Sequence, residues 1–105
     1  MNALEKLDLA KALWLKAMPV ECPLPDDWEF LLWVERYASD LVETGIIRSA
    51  KKMRLNLRAK RTLMPQAAQR YCTSVMTNLS RTHQELKERA QIAAWKTAKP
   101  QETNS

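Results

Sequence analysis

The residues with the clearest chemical potential lie in one basic segment, residues 48–61. Seven of its fourteen residues are Lys or Arg, and none is acidic. Cations at this density can follow a nucleic-acid backbone, because phosphate contacts supply most of the sequence-independent affinity. Arg70, a little further along the chain, is added to these seven. The predicted nucleic-acid-binding residues are therefore Arg48, Lys51, Lys52, Arg54, Arg58, Lys60, Arg61 and Arg70. Two other interpretations stay open: a solvated basic face, or a contact for an acidic protein surface.

Catalytic chemistry has little support elsewhere in the chain. There is one His, at position 83, and two Cys, at positions 22 and 72, without the spacing of a metal site. His83 falls on or beside an apolar helical stripe, which predicts a packing role. The single Gly excludes a glycine-rich phosphate loop. We therefore expect no enzymatic activity, no cofactor and no metal.

Charge is distributed unevenly over the 105 residues. Residues 1–46 hold nine acidic and four basic side chains, a net charge of −5, whereas residues 47–105 hold thirteen basic and three acidic ones, a net charge of +10. The two halves either neutralise each other within the fold or face different partners. Charged residues interrupt the apolar stretches, which argues against a signal peptide and a membrane span. We expect a cytoplasmic protein, a location that also suits two free thiols.

Apolar residues at the helical period predict a chain of helices. The first covers residues 3–18, with Asn2 as its cap. Three prolines make residues 19–25 a stiff connector. Asp26 begins a second, aromatic-rich helix, and Ser39 and Asp40 cap a third. Its core face is predicted to contain Val42, Ile46, Ala50 and Met53, with Gly45 marking a close contact with another helix.

A basic junction, residues 48–62, separates this third helix from the last one. Residues 54–62 have weak apolar periodicity, so we predict a frayed helix end and a loop there, with Asn56 as a C-cap. Pro65 suits the first turn of the last helix. That helix either breaks near residues 78–82 or continues, as we slightly favour, with a distal half that projects and pairs with another chain.

Three leucines are candidates for a protein interface. In the first helix, Leu4, Leu7, Ala10, Trp14 and Met18 share the predicted core face. Leu9 and Leu13 lie on the other side of that helix, and Leu86 lies in the distal half of the last one. A helix that is apolar on two sides is either deeply buried or in contact with a second molecule. These leucines therefore predict contact with a protein partner or with a second copy of the chain.

The predicted fold is all-α, a small bundle of four to five helices with a long C-terminal helix. Residues 1–99 form one domain, and residues 100–105 form a disordered tail after Pro100. Trp28 and Trp33, in the second helix, are predicted to be core residues, or else an exposed aromatic platform.

Residues 40–79 combine an apolar helix, a basic loop and a second helix with Tyr71, Val75 and Leu79 four residues apart. The apolar helix carries Leu41 and Val42, followed by Ile46, Ile47 and Ala50. This order resembles the helicase-loader domain of DnaD-type replication proteins of bacterial primosomes and phage replication modules. The resemblance implies a role for Tyr71 and the following residues in binding single-stranded DNA. Leu79 stands where that family has an aromatic residue.

These observations together predict a non-enzymatic protein that binds DNA or assists replication in a phage, plasmid or other mobile element. Its basic helix end and loop would contact nucleic-acid phosphates. The alternative is a small inhibitor or adaptor that binds a host or replication protein through its apolar helix faces. No membrane partner is expected.

Overall fold

The computed structural model contains four α-helices and, among the residues it describes, no strand. They are α1 (Ala3–Ala17), α2 (Asp27–Arg36), α3 (Ser39–Arg58) and α4 (Ala67–Asn104). Residues 1–97 are described with their side chains, and α4 is described without side chains beyond residue 97. The predicted all-α bundle with a long C-terminal helix is confirmed. The predicted stop at Pro100 and the tail of residues 100–105 lie outside the fully described residues.

The helix starts follow the sequence signals with small shifts. The Asn2 side chain accepts a hydrogen bond from the Glu5 backbone N–H at 2.9 Å, which caps α1 as predicted. Asp26 precedes α2, but its carboxylate accepts from the Trp28 indole at 3.3 Å instead of capping the backbone. The N-cap of α3 is Ala38, so the predicted cap at Ser39 and Asp40 lies just inside the helix.

The core is built around three aromatic rings from α1 and α2. Phe30 meets Trp14 and Trp33 edge-on, with ring centroids 6.1 and 5.4 Å away, and the two Trp rings stack at 6.1 Å. Offset and edge-on pairs of this kind add about 0.5–1.5 kcal/mol beyond their buried area. The buried Trp14 indole N–H has no hydrogen-bond partner among the described residues.

One apolar position, Leu4, differs from prediction, and the structure decides between the two interpretations left open for Trp28. Leu4 was expected on the core face of α1, but it is 67% exposed, and its neighbours at the start of the helix are exposed too. Trp28 is 60% exposed, whereas Trp33 is buried. Five positions along a helix correspond to a rotation of about 140°, so these two Trp side chains lie on different faces. Of the two readings for Trp28, exposure is therefore the correct one.

Helices α3 and α4 form a tightly packed antiparallel pair. A Cβ atom added at Gly45 would lie 2.8 Å from the Met76 Cγ and 3.3 Å from the Cys72 carbonyl oxygen, which confirms that Gly45 marks a close helix contact. The buried Ser49 hydroxyl donates to the Ala68 carbonyl at 2.7 Å. The close approach at Gly45, which has no side chain, and the Ser49 hydrogen bond together fix the relative position of α3 and α4.

Two hydrogen bonds tie α2 to α4. The Trp33 indole N–H donates to the Thr73 hydroxyl at 3.0 Å, and the hydroxyls of Tyr37 and Thr77 are also 3.0 Å apart. Because residues four apart lie on one face of a helix, the two bonds form successive rungs. They hold α2 along the first half of α4.

The end of α3 corrects the predicted junction. Residues 54–58 are helical, so the loop begins only after Arg58. Lys60 adopts a left-handed conformation with φ of 57°, and its N–H donates to the Leu57 carbonyl at 3.0 Å. The Arg61 N–H donates to the Asn56 carbonyl at 2.9 Å, which completes a Schellman motif. The predicted C-cap Asn56 therefore lies inside the helix, three residues before the actual cap at Ala59.

Helix α4 is continuous through residues 78–82, as slightly favoured from the sequence. Its first half is buried through Ala68, Cys72 and Met76, but every residue from 81 to 97 is exposed. His83 is among them and does not pack in the core, contrary to prediction. We call residues 81–97 the arm. In the described part of the chain, no helix combines the length and apolarity that crossing a membrane requires.

The Gly45 contact can be tested with Gly45→Ala. Alanine favours a helix by about 1 kcal/mol, but the added methyl group must displace Met76, and overpacking typically costs about 1–3 kcal/mol. We expect Gly45→Ala to lower the free energy of unfolding in the natural background. In a Met76→Ala background the same change should be neutral or stabilising. Urea denaturation of the four proteins measures this coupling, and stabilisation in both backgrounds would contradict the contact.

The left-handed residue at the end of α3 makes a second prediction. Lys60→Gly should raise the free energy of unfolding by about 1 kcal/mol, because glycine has no Cβ to strain in this conformation. The matched control is Lys51→Gly, in the interior of α3, which should lower the free energy of unfolding by about 1 kcal/mol. Thermal or urea denaturation distinguishes the opposite signs. Equal losses at both positions would show that Lys60 is not left-handed.

Candidate nucleic-acid interface

Four of the predicted cations form one stripe along the exposed face of α3: Arg48, Lys51, Lys52 and Arg58. Steps of three and four residues keep them on one side of the helix, with the exposed Leu55 among them. The opposite side of the helix is buried through Ile46, Ala50 and Met53. The stripe extends about 15 Å along the helix axis and is held rigidly by that packing.

The stripe has no acidic partner in the described part of the chain. The one ion pair formed there joins Lys11 of α1 to Asp27 of α2, with 2.8 Å between the Nζ and Oδ1 atoms. The hydrogen bond to Asp27, together with its charge, raises the pKa of Lys11. The acidic half therefore uses a carboxylate to join its own helices, and among residues 1–97 its carboxylates form no ion pair with the basic segment. This favours different partners for the two halves of the chain.

The loop after α3 extends the basic surface around the end of the bundle. Lys60 and Arg61 are exposed there, and the Arg61 guanidinium donates to the Asn56 side chain at 3.4 Å. Helices α1, α2 and α3 each have an acidic residue in the first turn, whereas α4 has none. The partial positive charge at the start of α4 is therefore not offset by a carboxylate and adds to the two loop cations.

Arg54 differs from the other cations of the segment. It lies off the stripe, and its guanidinium donates a hydrogen bond to the Ala17 carbonyl oxygen. That carbonyl belongs to the last residue of α1, where backbone acceptors have no partner within the helix. Arg54 therefore links α3 to α1 and holds the bundle together, in addition to any contact with a ligand.

Arg70 is placed apart from the stripe. It lines an open cleft of about 400 Å³ between α2 and α4, together with Trp28, Glu29, Gln66 and Gln69. None of the α3 cations lines that cleft. The predicted set therefore divides into a main surface, formed by the stripe and the loop, and a separate site at Arg70 beside an exposed indole. Arg70 was predicted together with the other cations because it closely follows the loop in the chain. Closeness in the chain does not show which face of α4 the Arg70 side chain occupies.

The predicted interface leucines occupy two places. Leu9 and Leu13 line an apolar groove of about 320 Å³ that α1 forms with α2 and the start of α3. Leu9 is 57% exposed, while Leu13 is half-buried against the core. Leu86 is 58% exposed on the arm. The groove wall from α3, Val42, was predicted only as a core residue, and Val34 of α2 was not singled out, because no local pattern tells which apolar side chains border an opening.

The two cysteines have little nucleophilic character. Burial, and then the charge of Glu29, raises the pKa of the Cys72 thiol to about 12. Burial also raises the pKa of Cys22. Both thiols therefore stay protonated near neutral pH, and the thiolate is the reactive form. Among residues 1–97, no group of three or more His, Cys, Asp or Glu side chains is arranged to hold a metal ion.

Comparison with known proteins found no relative of this chain. No protein-family model matches the chain, and neither a curated protein nor a solved structure is significantly similar to it. The resemblance of residues 40–79 to DnaD-type domains therefore stays a prediction from short helical patterns. The functional argument depends on the placement of the chain's own residues.

Proposed function

We propose that this chain is a non-enzymatic nucleic-acid-binding protein that contacts the phosphate backbone through the stripe on α3 and the loop after it. The observation that carries the proposal is the absence of acidic partners around these cations in the described chain. Six exposed cations contribute to one end and face of the bundle: Arg48, Lys51, Lys52, Arg58, Lys60 and Arg61. Unpaired cations on a rigid helix are suited to a polyanion, because little ordering is needed on binding.

Several features support the non-enzymatic part of the proposal. The Cys72 thiol is protonated, and the described residues form no metal-ligating group. His83 lies on the exposed arm of α4, whereas the stripe lies on α3. The DnaD-type resemblance of residues 40–79 would make DNA at a replication complex the target. Tyr71, the residue it singles out, is only half-buried on α4.

The dependence of affinity on salt concentration tests phosphate binding. If four to six of these cations contact phosphates of a duplex, log affinity should fall linearly with log salt concentration, with a slope of about −4 to −5. Fluorescence anisotropy with labelled single- and double-stranded oligonucleotides at several salt concentrations measures the slope. A single strand should give a shallower slope for the same number of contacts. Affinity that does not depend on salt would contradict phosphate binding.

Charge reversal tests which cations are responsible. Replacing Lys51, Lys52 and Arg58 by Glu should lower affinity at least about 100-fold at low salt, because three attractive contacts become repulsive. Arg54 is left unchanged, since its bond to Ala17 stabilises the bundle. Circular dichroism should show unchanged helix content.

The matched control changes the same type of charge elsewhere. Lys16→Glu and Arg36→Glu alter two exposed cations of the acidic half and should reduce affinity much less. A separate Arg70→Glu variant tests whether the cleft beside Trp28 belongs to the same surface. Equal losses per reversed cation in the triple variant and in the control would reduce the effect to net charge and refute the stripe.

A further inference from the structure

The arm of α4 and the apolar groove on α1 fit each other, but they cannot meet within one chain. We propose that the protein forms a two-fold symmetric dimer in which the arm of each copy lies in the groove of the other. The contact is distinct from the cationic stripe and does not depend on nucleic-acid binding.

The arm has the character of an interface helix. Its 17 residues, 81 to 97, are all exposed and extend about 25 Å. Leu86, Ala90 and Ala93 continue, at steps of three and four residues, the stripe that includes the half-buried Leu79. Most helix stability in proteins comes from packing an apolar face, so a helical stripe that continues into solvent indicates a missing neighbour.

The groove has matching apolar walls. It lies between α1 and the start of α3, with α2 at one side, and encloses about 320 Å³. Its apolar lining is mainly formed by Leu9, Ala10, Leu13, Val34, Val42 and Ile46. The exposed Leu9 therefore borders an opening lined by core side chains, where an apolar side chain such as Leu86 can insert between α1 and α3.

The charges of the two surfaces are complementary. The charged residues that line the groove are Lys6 and Glu43, and all its lining residues belong to residues 1–46, which carry a net charge of −5. The arm contains four basic and two acidic side chains: Arg81, Lys87, Arg89, Lys96, Glu85 and Glu88. A groove in the acidic half of the chain and an arm with a net charge of +2 favour this pairing.

The position of the two surfaces identifies the occupant as a second copy. Tyr37 lies beside Thr77, Arg81 and Gln84, where the arm leaves the bundle, and Ser39 lines the groove. Arm and groove therefore meet the same corner of the bundle, the junction of α2 and α3. Because α4 is unbroken through residue 97, the arm cannot fold back into its own groove. Two copies related by a two-fold axis can exchange arms at this corner and close the assembly.

Sedimentation velocity on the full chain without nucleic acid tests the proposal. The natural protein should dimerise reversibly at micromolar concentration. Leu9→Glu and Leu86→Glu should each weaken dimerisation at least about tenfold, because each buries a carboxylate in the contact. Both leucines are exposed in the single chain, so helix content should not change. Leu15→Glu is the matched control: Leu15 is 68% exposed on α1 outside the groove, and its dimer should persist.

Mixing the two weakened variants gives the sharpest result. Leu9→Glu retains an intact arm, and Leu86→Glu retains an intact groove. A mixture should therefore form a heterodimer with one complete arm–groove contact, tighter than either variant alone. If Leu86→Glu dissociates the dimer and Leu9→Glu does not, the arms pair with each other and the proposal is wrong. A natural chain that stays monomeric at high concentration would also overturn it and leave the groove for a different protein.

Discussion

The close approach of α3 and α4 at Gly45 is the constraint on which the rest of the architecture depends. At this position α3 rests almost directly on Cys72 and Met76, and one turn later the Ser49 hydroxyl bonds to the Ala68 carbonyl. Helices that meet without an intervening side chain can slide or rotate very little. This contact therefore determines which side of α3 faces solvent and in which direction α4 leaves the bundle.

Much of the helical architecture could be predicted from local signals. Asn2 marked the start of α1, three prolines marked the connector, and Gly45 marked the closest helix contact. The wrong predictions concern backbone conformation and contacts between helices, which a local sequence pattern does not specify. The end of α3 depends on a left-handed Lys60, whereas the sequence rule looks for Gly or Asn there. The exposure of Leu4 depends on which residues of the other helices reach the start of α1, and the period of α1 alone does not contain that information.

The candidate site was predictable in composition but not in arrangement. Charge density alone identified the basic segment, and Arg48, Lys51 and Lys52 lie off the predicted core face of Val42, Ile46, Ala50 and Met53. The separate tasks of Arg54 and Arg70 depend on α1 and α2, which are distant in the chain. The groove beside Leu9 likewise needs three helices at once. The apolar periodicity of a helix shows which of its faces is buried. It does not show which other helix packs against that face.

The single glycine also has a consequence for the unfolded chain. Glycine gives an unfolded backbone more freedom than any other residue, and proline gives it less. With one Gly and five Pro in 105 residues, this chain samples fewer conformations before folding than an average sequence of its length. Less entropy is then lost on folding, which matters for a bundle whose arm adds little to the core. The composition thus stabilises a fold with a small core by lowering the conformational entropy of the unfolded chain.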